Sequence, residues 1–128
     1  GVFDIIHTGH VGYLREAKKL GHKLLVAVNT DGSVKRLNKG PERPIFPLAE
    51  RMKVLANIDA VDWVVPFSQD TPRELVEVLR PDCLVKGEDY KIHEIAGSET
   101  VLSYGGEVLS IAYPKRETST SRIVDYLT

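Results

Sequence analysis

Several features are scarce in this chain, and each scarcity excludes a class of protein. Cys83 is the only cysteine, so a disulfide framework is excluded. Positive charge is not in excess, because 17 Lys and Arg residues stand against 18 Asp and Glu residues, and we expect no nucleic-acid partner. The apolar runs, such as Leu24–Val28, are too short to span a membrane. These absences favour a globular protein of the reducing cytoplasm.

Short apolar segments alternate with helical patterns along the 128 residues, which are enough for a single domain, residues 1–128. We predict strands at Lys23–Val28, Asp62–Phe67, Asp82–Lys86 and Glu107–Ala112. We predict helices near Val11–Leu20, Asp31–Leu37, Leu48–Asp59, Pro72–Leu79, Glu94–Tyr104 and Thr120–Leu127. This order is typical of an α/β protein with a Rossmann-like, doubly wound parallel sheet of about five strands and helices on both faces.

The first ten residues contain the most specific pattern in the chain. Gly1–His10 carries two histidines, His7 and His10, immediately before a predicted helix. A turn that leads into a helix needs a strand before it, so we expect the first strand of the sheet to be missing or trimmed. The first turn of a helix offers unpaired N–H groups and the positive end of the helix dipole, which favour phosphate. Two imidazoles beside it indicate a phosphate whose charge changes during a reaction.

A second cluster of polar side chains begins the last predicted helix, at Thr118–Ser121. Ligands of an open parallel sheet bind beyond the carboxyl ends of its strands, where both this cluster and Gly1–His10 fall. Alone, such hydroxyl groups are more typical of a helix N-cap. Together with the histidines, they indicate a substrate with several phosphates.

The pattern G-x-F-D-x-x-H-x-G-H of Gly1–His10 resembles the signature of the nucleotidyltransferase superfamily related to class I aminoacyl-tRNA synthetases. The sequence S-T-S at Ser119–Ser121 is similar to the second motif of that superfamily. The resemblance covers the whole chain, and segments such as Arg43–Leu48 and Val85–Tyr90 are most similar to bacterial heptose 1-phosphate adenylyltransferases. In that family the enzyme is either fused to a sugar kinase domain, as is often the case, or stands alone, and the resemblance implies one of these two arrangements here.

The resemblance implies a reaction in which AMP passes from ATP to D-glycero-β-D-manno-heptose 1-phosphate. The products are pyrophosphate and ADP-heptose, a precursor of the lipopolysaccharide core. Catalysis then consists of positioning and of stabilising charge on the transferred phosphorus. Mg²⁺ is implied as a partner of the ATP phosphates, because it takes few protein ligands, and no metal site made by the protein is expected. The resemblance also implies a homodimer.

The resemblance assigns individual residues to this reaction. It implies that His7 and His10 donate hydrogen bonds to the triphosphate, and that Lys39 and Arg51 act with them in catalysis. The implied nucleotide-binding residues are Gly1, Phe3, Asp4, His7, Gly9, His10, Lys86, Gly87, Asp89, Ser119, Thr120 and Ser121. The implied substrate-binding residues are Asp31, Arg36, Lys39 and Arg51.

Several of these residues also fit a structural role. Asp31 is as well suited to cap its helix as to contact the substrate, and Asp4 suits a brace for the turn. The cationic residues Arg36, Lys39 and Arg51 each also fit a solvated surface. A pair of histidines is sometimes part of a zinc site, but zinc needs three or four ligands, and neither of the other two histidines has a suggestive neighbour.

Two other functions compete with the adenylyltransferase. One is a sister enzyme, either a CTP-dependent cytidylyltransferase of the glycerol-3-phosphate or phosphoethanolamine type or an FMN adenylyltransferase. The segment Pro114–Thr118 differs from the Arg-Thr-Glu-Gly-Ile run of glycerol-3-phosphate cytidylyltransferases, which weakens the use of CTP. The other is a catalytically silent nucleotide-binding domain, against which the intact His7, His10 and Ser119–Ser121 count.

Overall fold

The structure is a computed structural model that describes residues 1–87 and 90–111. Helices and strands alternate through these residues, as the sequence predicts. The helices are α1 (Thr8–Lys18), α2 (Asp31–Arg36), α3 (Leu48–Ala56), α4 (Arg73–Leu79) and α5 (Ser98–Ser103), with a 3₁₀ helix at Ile92–Glu94. The strands are β1 (Leu25–Asn29), β2 (Trp63–Phe67), β3 (Cys83–Gly87) and β4 (Glu107–Ile111). The predicted last helix, Thr120–Leu127, lies outside the described residues.

The strands are parallel, but within the described residues they form two separate pairs rather than one continuous ladder. β1 pairs with β2, with Leu25 opposite Trp63, and β3 pairs with β4, with Cys83 opposite Glu107. Parallel neighbours need a crossover connection, which α2 and α3 provide in the first pair and α5 provides in the second. The carboxyl ends of both strands therefore coincide within each pair.

Gly1 pairs with β1 along the edge that faces away from β2. Its backbone nitrogen donates a 2.7 Å hydrogen bond to the Ala27 carbonyl, and the Asn29 N–H donates to the Gly1 carbonyl at 3.0 Å. On the opposite edge, the Thr30 N–H donates to the Phe67 carbonyl at 3.0 Å. Because hydrogen-bonding groups alternate between the two edges of a strand, Gly1 takes the place of a parallel neighbour. The histidine turn thus starts at the carboxyl end of β1.

A first core cluster holds α1 and α3 against β1. Its buried members are Leu14 of α1, Val26 and Val28 of β1, and Leu55 of α3. Val26 and Val28 are two residues apart, so they lie on the same face of the strand. Burial of each such side chain contributes about 1.5–3 kcal/mol. This packing sets the position of α1, and with it the turn that carries the histidines.

A second core cluster lies beneath β3 and β4. It consists of Val76, Ile95, Val101 and Val108, from α4, the segment after the 3₁₀ helix, α5 and β4. A hydrogen bond links α1, which packs on the first strand pair, to the second strand pair. The hydroxyl group of Tyr13 in α1 donates it to the Val85 carbonyl of β3, at 3.3 Å.

The predicted helix Glu94–Tyr104 is wrong in its first part. The chain forms a separate 3₁₀ turn, and α5 begins only at Ser98. Gly97 between them has a φ of +90°, a conformation that an α-helix cannot contain. An added Cβ at Gly97 would lie 2.9 Å from Val76 Cγ1, so the interruption also allows close packing against α4. Among the helices of the described segments, none is long and apolar enough to cross a membrane.

Candidate active site at the start of helix α1

His7 and His10 form a reciprocal capping box at the N-terminus of α1. His7 is the N-cap residue, and its Nδ1 accepts a 3.0 Å hydrogen bond from the Gly9 N–H. His10, three residues later, accepts the His7 N–H at its own Nδ1, at 3.2 Å. The two ring centroids are 4.0 Å apart. The turn therefore brings both predicted histidines together beside the positive end of the helix dipole.

Burial, and to a smaller extent the positive charge on a protonated His7, together lower the pKa of His10 to about 4. His10 is consequently neutral at physiological pH. A neutral imidazole has one N–H donor and one acceptor. In this turn the acceptor is already used for the helix cap.

Phe3 adopts an unusual backbone conformation next to the histidines. Its φ is +51°, and the left-handed region costs a residue with a side chain about 1–2 kcal/mol. The ring packs against the first core cluster, and its centroid lies 5.5 Å from that of His10. Such strain often occurs at functional sites. The predicted contact between Phe3 and a nucleotide stays a prediction.

Asp4 braces the turn from inside the protein. Its carboxylate accepts a 2.7 Å hydrogen bond from Arg43 Nε, and the two side chains are only 0% and 5% exposed. The same carboxylate accepts the N–H groups of Ile45 and Phe46, each at 2.8 Å. Asp4 therefore joins the histidine turn to the loop before α3, and the geometry supports the bracing alternative. Nucleotide contact by Asp4 stays a prediction.

Arg51 of α3 is a buried hub and not a solvated surface residue. Its side chain is fully withdrawn from solvent. It donates to four acceptors, which are the carbonyls of Val2 (2.8 Å), Asn29 (2.7 Å) and Phe46 (3.0 Å) and the Oδ1 of Asp31 (2.6 Å). These contacts join the histidine turn, the end of β1 and the start of α2. Arg51 thus fixes the relative positions of these segments, and its predicted roles in catalysis and substrate binding stay predictions.

Thr30, not Asp31, caps α2. The Thr30 hydroxyl group accepts a 3.3 Å hydrogen bond from the Ser33 N–H, so the capping alternative for Asp31 is wrong. Asp31 occupies the first helical position, where its Oδ1 bonds to Arg51. Its side chain is 44% exposed, which leaves substrate contact by Asp31 a prediction.

Positive charges converge on the beginning of the turn. Lys86, Arg51 and Lys39 all act electrostatically on the position of the Gly1 nitrogen. Lys39 lies in the loop after α2 and Lys86 near the end of β3. Three segments far apart in the chain thus supply charge to one point, as binding of a polyphosphate requires.

Arg36 is directed to a different neighbour. Its Nε donates a 2.7 Å hydrogen bond to Asp70 Oδ1, and its Nη2 donates to the Ser68 carbonyl. Both partners follow β2. In the described structure Arg36 is therefore part of an exposed ion pair, and its predicted role in substrate binding stays a prediction.

Residues 1–125 of the chain match the sequence profile of the cytidylyltransferase-like family. The chain belongs to the cytidylyltransferase-like family. This membership confirms the predicted class of enzyme, a nucleotidyltransferase.

Similarity to individual cytidylyltransferase-like proteins confirms the family resemblance stated from the sequence. The chain is 56% identical over 123 residues to the "Bifunctional protein HldE" of Yersinia pestis (strain Pestoides F), and equally to that of Yersinia pseudotuberculosis serotype O:1b (strain IP 31758). These matches cover 96% of this chain but 26% of each relative. The chain thus spans about a quarter of the length of the curated relatives it matches.

A solved structure shows the fold of this cytidylyltransferase-like chain. It is the crystal structure of the lipopolysaccharide core biosynthesis protein from Thermoplasma volcanium GSS1, with a TM-score of 0.70 and 33% sequence identity. The match covers 91% of this chain and 93% of that one. The predicted Rossmann-like α/β fold is therefore confirmed.

The structure describes most, but not all, of the predicted site of this cytidylyltransferase-like domain. Gly9 is buried, and Gly87 ends β3. Lys86 Nζ lies 5.3 Å from the ring centroid of Tyr90. The predicted nucleotide-binding residues Asp89, Ser119, Thr120 and Ser121 lie outside the described residues.

Sequence reasoning did not find Arg43. A charged residue in a polar loop carries no periodic signal of burial, yet Arg43 is only 5% exposed. Its burial arises because the Asp4 carboxylate, 39 positions earlier, needs a positive partner inside the protein.

Proposed function

We propose that residues 1–128 form one nucleotidyltransferase domain that transfers AMP from ATP to D-glycero-β-D-manno-heptose 1-phosphate. The products would be ADP-heptose, used for the lipopolysaccharide core, and pyrophosphate. The observation that carries the proposal is the pair of histidines that caps the start of α1, His7 and His10, whose ring centroids lie 4.0 Å apart. The identity to HldE proteins and the similarity to a lipopolysaccharide core biosynthesis protein support this sugar acceptor.

In the proposed reaction, a phosphate oxygen of the sugar 1-phosphate attacks the α-phosphorus of ATP. The new O–P bond forms as the bond from the α-phosphorus to the bridging oxygen breaks, and pyrophosphate leaves with the electron pair. No protein nucleophile is needed. His7 and His10 would donate hydrogen bonds to the oxygens that gain negative charge, and the α1 dipole would add to this stabilisation.

The neighbouring cations would bind the substrates rather than react. Lys39 and Lys86 approach the start of the turn from two different segments and would attract the phosphates of ATP or of the sugar phosphate. Arg51 would hold the turn, the end of β1 and the start of α2 in their mutual positions. Ser119–Ser121 would bind the departing phosphates, by the resemblance of that motif.

Mg²⁺ would accompany the nucleotide. Within residues 1–87 and 90–111, no three His, Cys, Asp or Glu side chains are placed to hold a metal ion. Asp4 is occupied by Arg43 and two N–H groups, and Asp31 bonds to Arg51. These residues do not fit a metal cage made by the protein. Mg²⁺ held chiefly by phosphates and water is the arrangement that fits.

The remaining parts of the proposal concern the setting of the domain. We place it in the cytoplasm, where ATP is supplied, as a homodimer. The name of the HldE relatives states two functions, and this chain spans about a quarter of their length. A sugar kinase domain in the same polypeptide would supply the phosphorylated sugar.

The proposal is tested by pyrophosphate release from the protein as its gene encodes it. ATP and CTP are each combined with heptose 1-phosphate, glycerol 3-phosphate, phosphoethanolamine and FMN. We expect turnover with ATP and heptose 1-phosphate, and its loss in the His10→Ala variant, by about a hundredfold or more in kcat. The exposed His22→Ala variant is the matched control. Turnover with CTP and glycerol 3-phosphate alone would contradict the proposal, and no turnover with any pair would favour a silent nucleotide-binding domain.

A further inference from the structure

We infer that Asn29, the last residue of β1, determines specificity by recognising the sugar part of the acceptor. Its side-chain oxygen and the Asp31 carboxylate accept hydrogen bonds from hydroxyl groups of the sugar, and Ser33 positions the Asn29 amide for this task. The inference rests on the proposed function, because it assigns a binding site for the sugar of the sugar 1-phosphate.

Ser33 of α2 determines which end of the Asn29 side chain faces the protein interior. The Ser33 hydroxyl group donates its single proton to the Gln69 carbonyl, at 2.7 Å. Towards Asn29 it can therefore only accept, so the group that lies 2.8 Å from Ser33 Oγ is the donor Nδ2. Ser33 is fully withdrawn from solvent, so water does not compete for these hydrogen bonds. The oxygen Oδ1 of Asn29 consequently faces away from Ser33.

The Oδ1 atom of Asn29 is available to a ligand. Within residues 1–87 and 90–111, Asn29 Oδ1 takes part in no hydrogen bond, although the residue is only 4% exposed. No fully buried side-chain nitrogen or oxygen of these residues lacks a partner, so Oδ1 must reach the surface. An almost enclosed polar atom without a partner costs free energy. A hydrogen-bond donor of a ligand would remove that cost.

Asn29 lies at the edge of the sheet where the histidine turn begins. Its N–H donates to the Gly1 carbonyl at 3.0 Å, and its carbonyl accepts from Arg51 Nη1 at 2.7 Å. The same guanidinium group holds Asp31 Oδ1 at 2.6 Å. Asn29 and Asp31 are therefore fixed next to each other, beside the segment that leads to His7. Ligands of an open parallel sheet bind beyond this edge.

The chemistry of the two side chains matches hydroxyl groups. An amide oxygen and a carboxylate both accept hydrogen bonds, and sugar hydroxyl groups donate them. The negative charge of Asp31 is already balanced by Arg51, so a positively charged acceptor such as phosphoethanolamine gains little from it. Lys39 acts electrostatically on the position of the Gly1 nitrogen, so a cation for the phosphate is close to the same edge. The arrangement suits a neutral, hydroxylated group attached to a phosphate.

The inference is tested first on the wild type, by the side-chain amide signals of the ¹⁵N-labelled protein. Heptose 1-phosphate is added together with α,β-methylene-ATP, from which AMP cannot be transferred. We expect the Asn29 amide signals to shift. Those of exposed Asn57, which donates to the Lys53 carbonyl, should not shift. Inorganic phosphate in place of the sugar phosphate should leave the Asn29 signals unchanged. No shift with heptose 1-phosphate, or an equal shift with inorganic phosphate, would overturn the inference.

The second test uses variants and the rate of pyrophosphate release. Asn29→Ala removes the acceptor oxygen, so we expect the KM for heptose 1-phosphate to rise roughly tenfold, the effect of one lost hydrogen bond. The KM for ATP and kcat should stay unchanged. Ser33→Ala should raise the same KM by a smaller factor, because the Asn29 amide is no longer held in one orientation. Asn57→Ala is the matched control, since Asn57 is the exposed C-cap of α3.

The outcomes distinguish this inference from the proposed function. If the wild type turns over heptose 1-phosphate and Asn29→Ala has the same KM for it, the inference is wrong and the proposed function stands. A rise in the KM for ATP instead would assign the oxygen to the ribose of ATP and also contradict the inference. If the wild type uses no sugar phosphate, the proposed function fails and the inference fails with it.

Asn29 is buried, so Tm is measured for each variant. If Asn29→Ala does not fold, acceptor analogues that each lack one hydroxyl group decide the question in the wild type and in Ser33→Ala. We expect kcat/KM of the wild type to fall by about tenfold or more for at least one analogue, and Ser33→Ala to discriminate less against that analogue. A wild type that uses all analogues equally well would overturn the inference.

Discussion

Arg43 Nε and Asp4 Oδ2 lie 2.7 Å apart, and both side chains are almost completely withdrawn from solvent. The two residues come from segments that the sequence separates by 39 positions. Through this pair, the loop before α3 supports the turn that carries His7 and His10. Removal of one partner from such a buried ion pair strongly destabilises a protein, because the other charge is left buried without compensation.

We expect Arg43→Met to lower the free energy of unfolding by about 3–5 kcal/mol, because the Asp4 carboxylate loses its charged partner. The measurement is urea unfolding followed by circular dichroism. Arg73→Met is the matched control, because Arg73 forms an exposed pair with Glu77, and such pairs contribute about 1 kcal/mol or less. Equal effects of the two substitutions would show that the pair with Asp4 is not a buried one.

Arg51→Lys tests whether Arg51 positions the site or only supplies charge. Lys keeps the positive charge, but one ammonium group cannot reach all four acceptors that the guanidinium joins. We expect the variant to lose about 2 kcal/mol or more of stability, and to lose kcat as well. Arg73→Lys, at an exposed arginine with no predicted role in the site, is the control. Full rescue of kcat and Tm by Lys would show that charge alone is what the site requires from Arg51.

Lys39→Ala tests direct binding of phosphate. Lys39 is exposed, and no ion pair involves it in the described part of the chain. We expect the Tm to stay unchanged and the KM for one phosphorylated substrate to rise roughly tenfold, which corresponds to about 1.4 kcal/mol. The effect should shrink at high ionic strength, because salt screens an exposed charge. Lys35→Ala, also exposed and close in sequence, is the control, and an equal rise in its KM would exclude a specific role for Lys39.

The stability of the protein should depend on pH through His10. Its pKa is about 4 in the folded state and 6.5 in the reference state, so the unfolded chain binds more protons between these values. The contribution of His10 is therefore fully present above pH 6.5 and is lost as the pH falls towards 4. Unfolding curves of the wild type and of His10→Asn from pH 7.5 to 4 measure this. A wild type that loses no more stability than His10→Asn would contradict the lowered pKa.

The secondary structure follows from the sequence wherever local preferences and burial agree. The ends of all four strands lie within two residues of the predicted ends. Short runs of Val, Leu and Ile are typical of buried parallel strands, so the local sequence was sufficient to locate them. The helix Glu94–Tyr104 is the exception. Its interruption at Gly97 depends on the approach of Val76, and a contact between residues so far apart in sequence leaves no periodic signal.

The candidate site also has one part that local sequence predicts and another part that it does not. The spacing of His7 and His10 before an amphipathic helix is a local pattern, so the sequence was enough to predict a phosphate site at the start of α1. The sequence left open whether Asp31 caps α2 or contacts the substrate, and the capping alternative is wrong because the adjacent Thr30, an equally suitable residue, is the cap. Only backbone geometry distinguishes an N-cap from the first helical position.

By itself, the sequence determined the α/β class, the approximate positions of the strands, the nucleotidyltransferase resemblance and the two histidines. These properties depend on residue type and spacing within single segments. Tertiary structure alone decided that Arg51 and Arg43 are buried and that Lys39 and Lys86 approach the same turn. The surroundings of a charged side chain depend on contacts between distant segments, and burial of such a charge is tolerated only where those segments supply its partners.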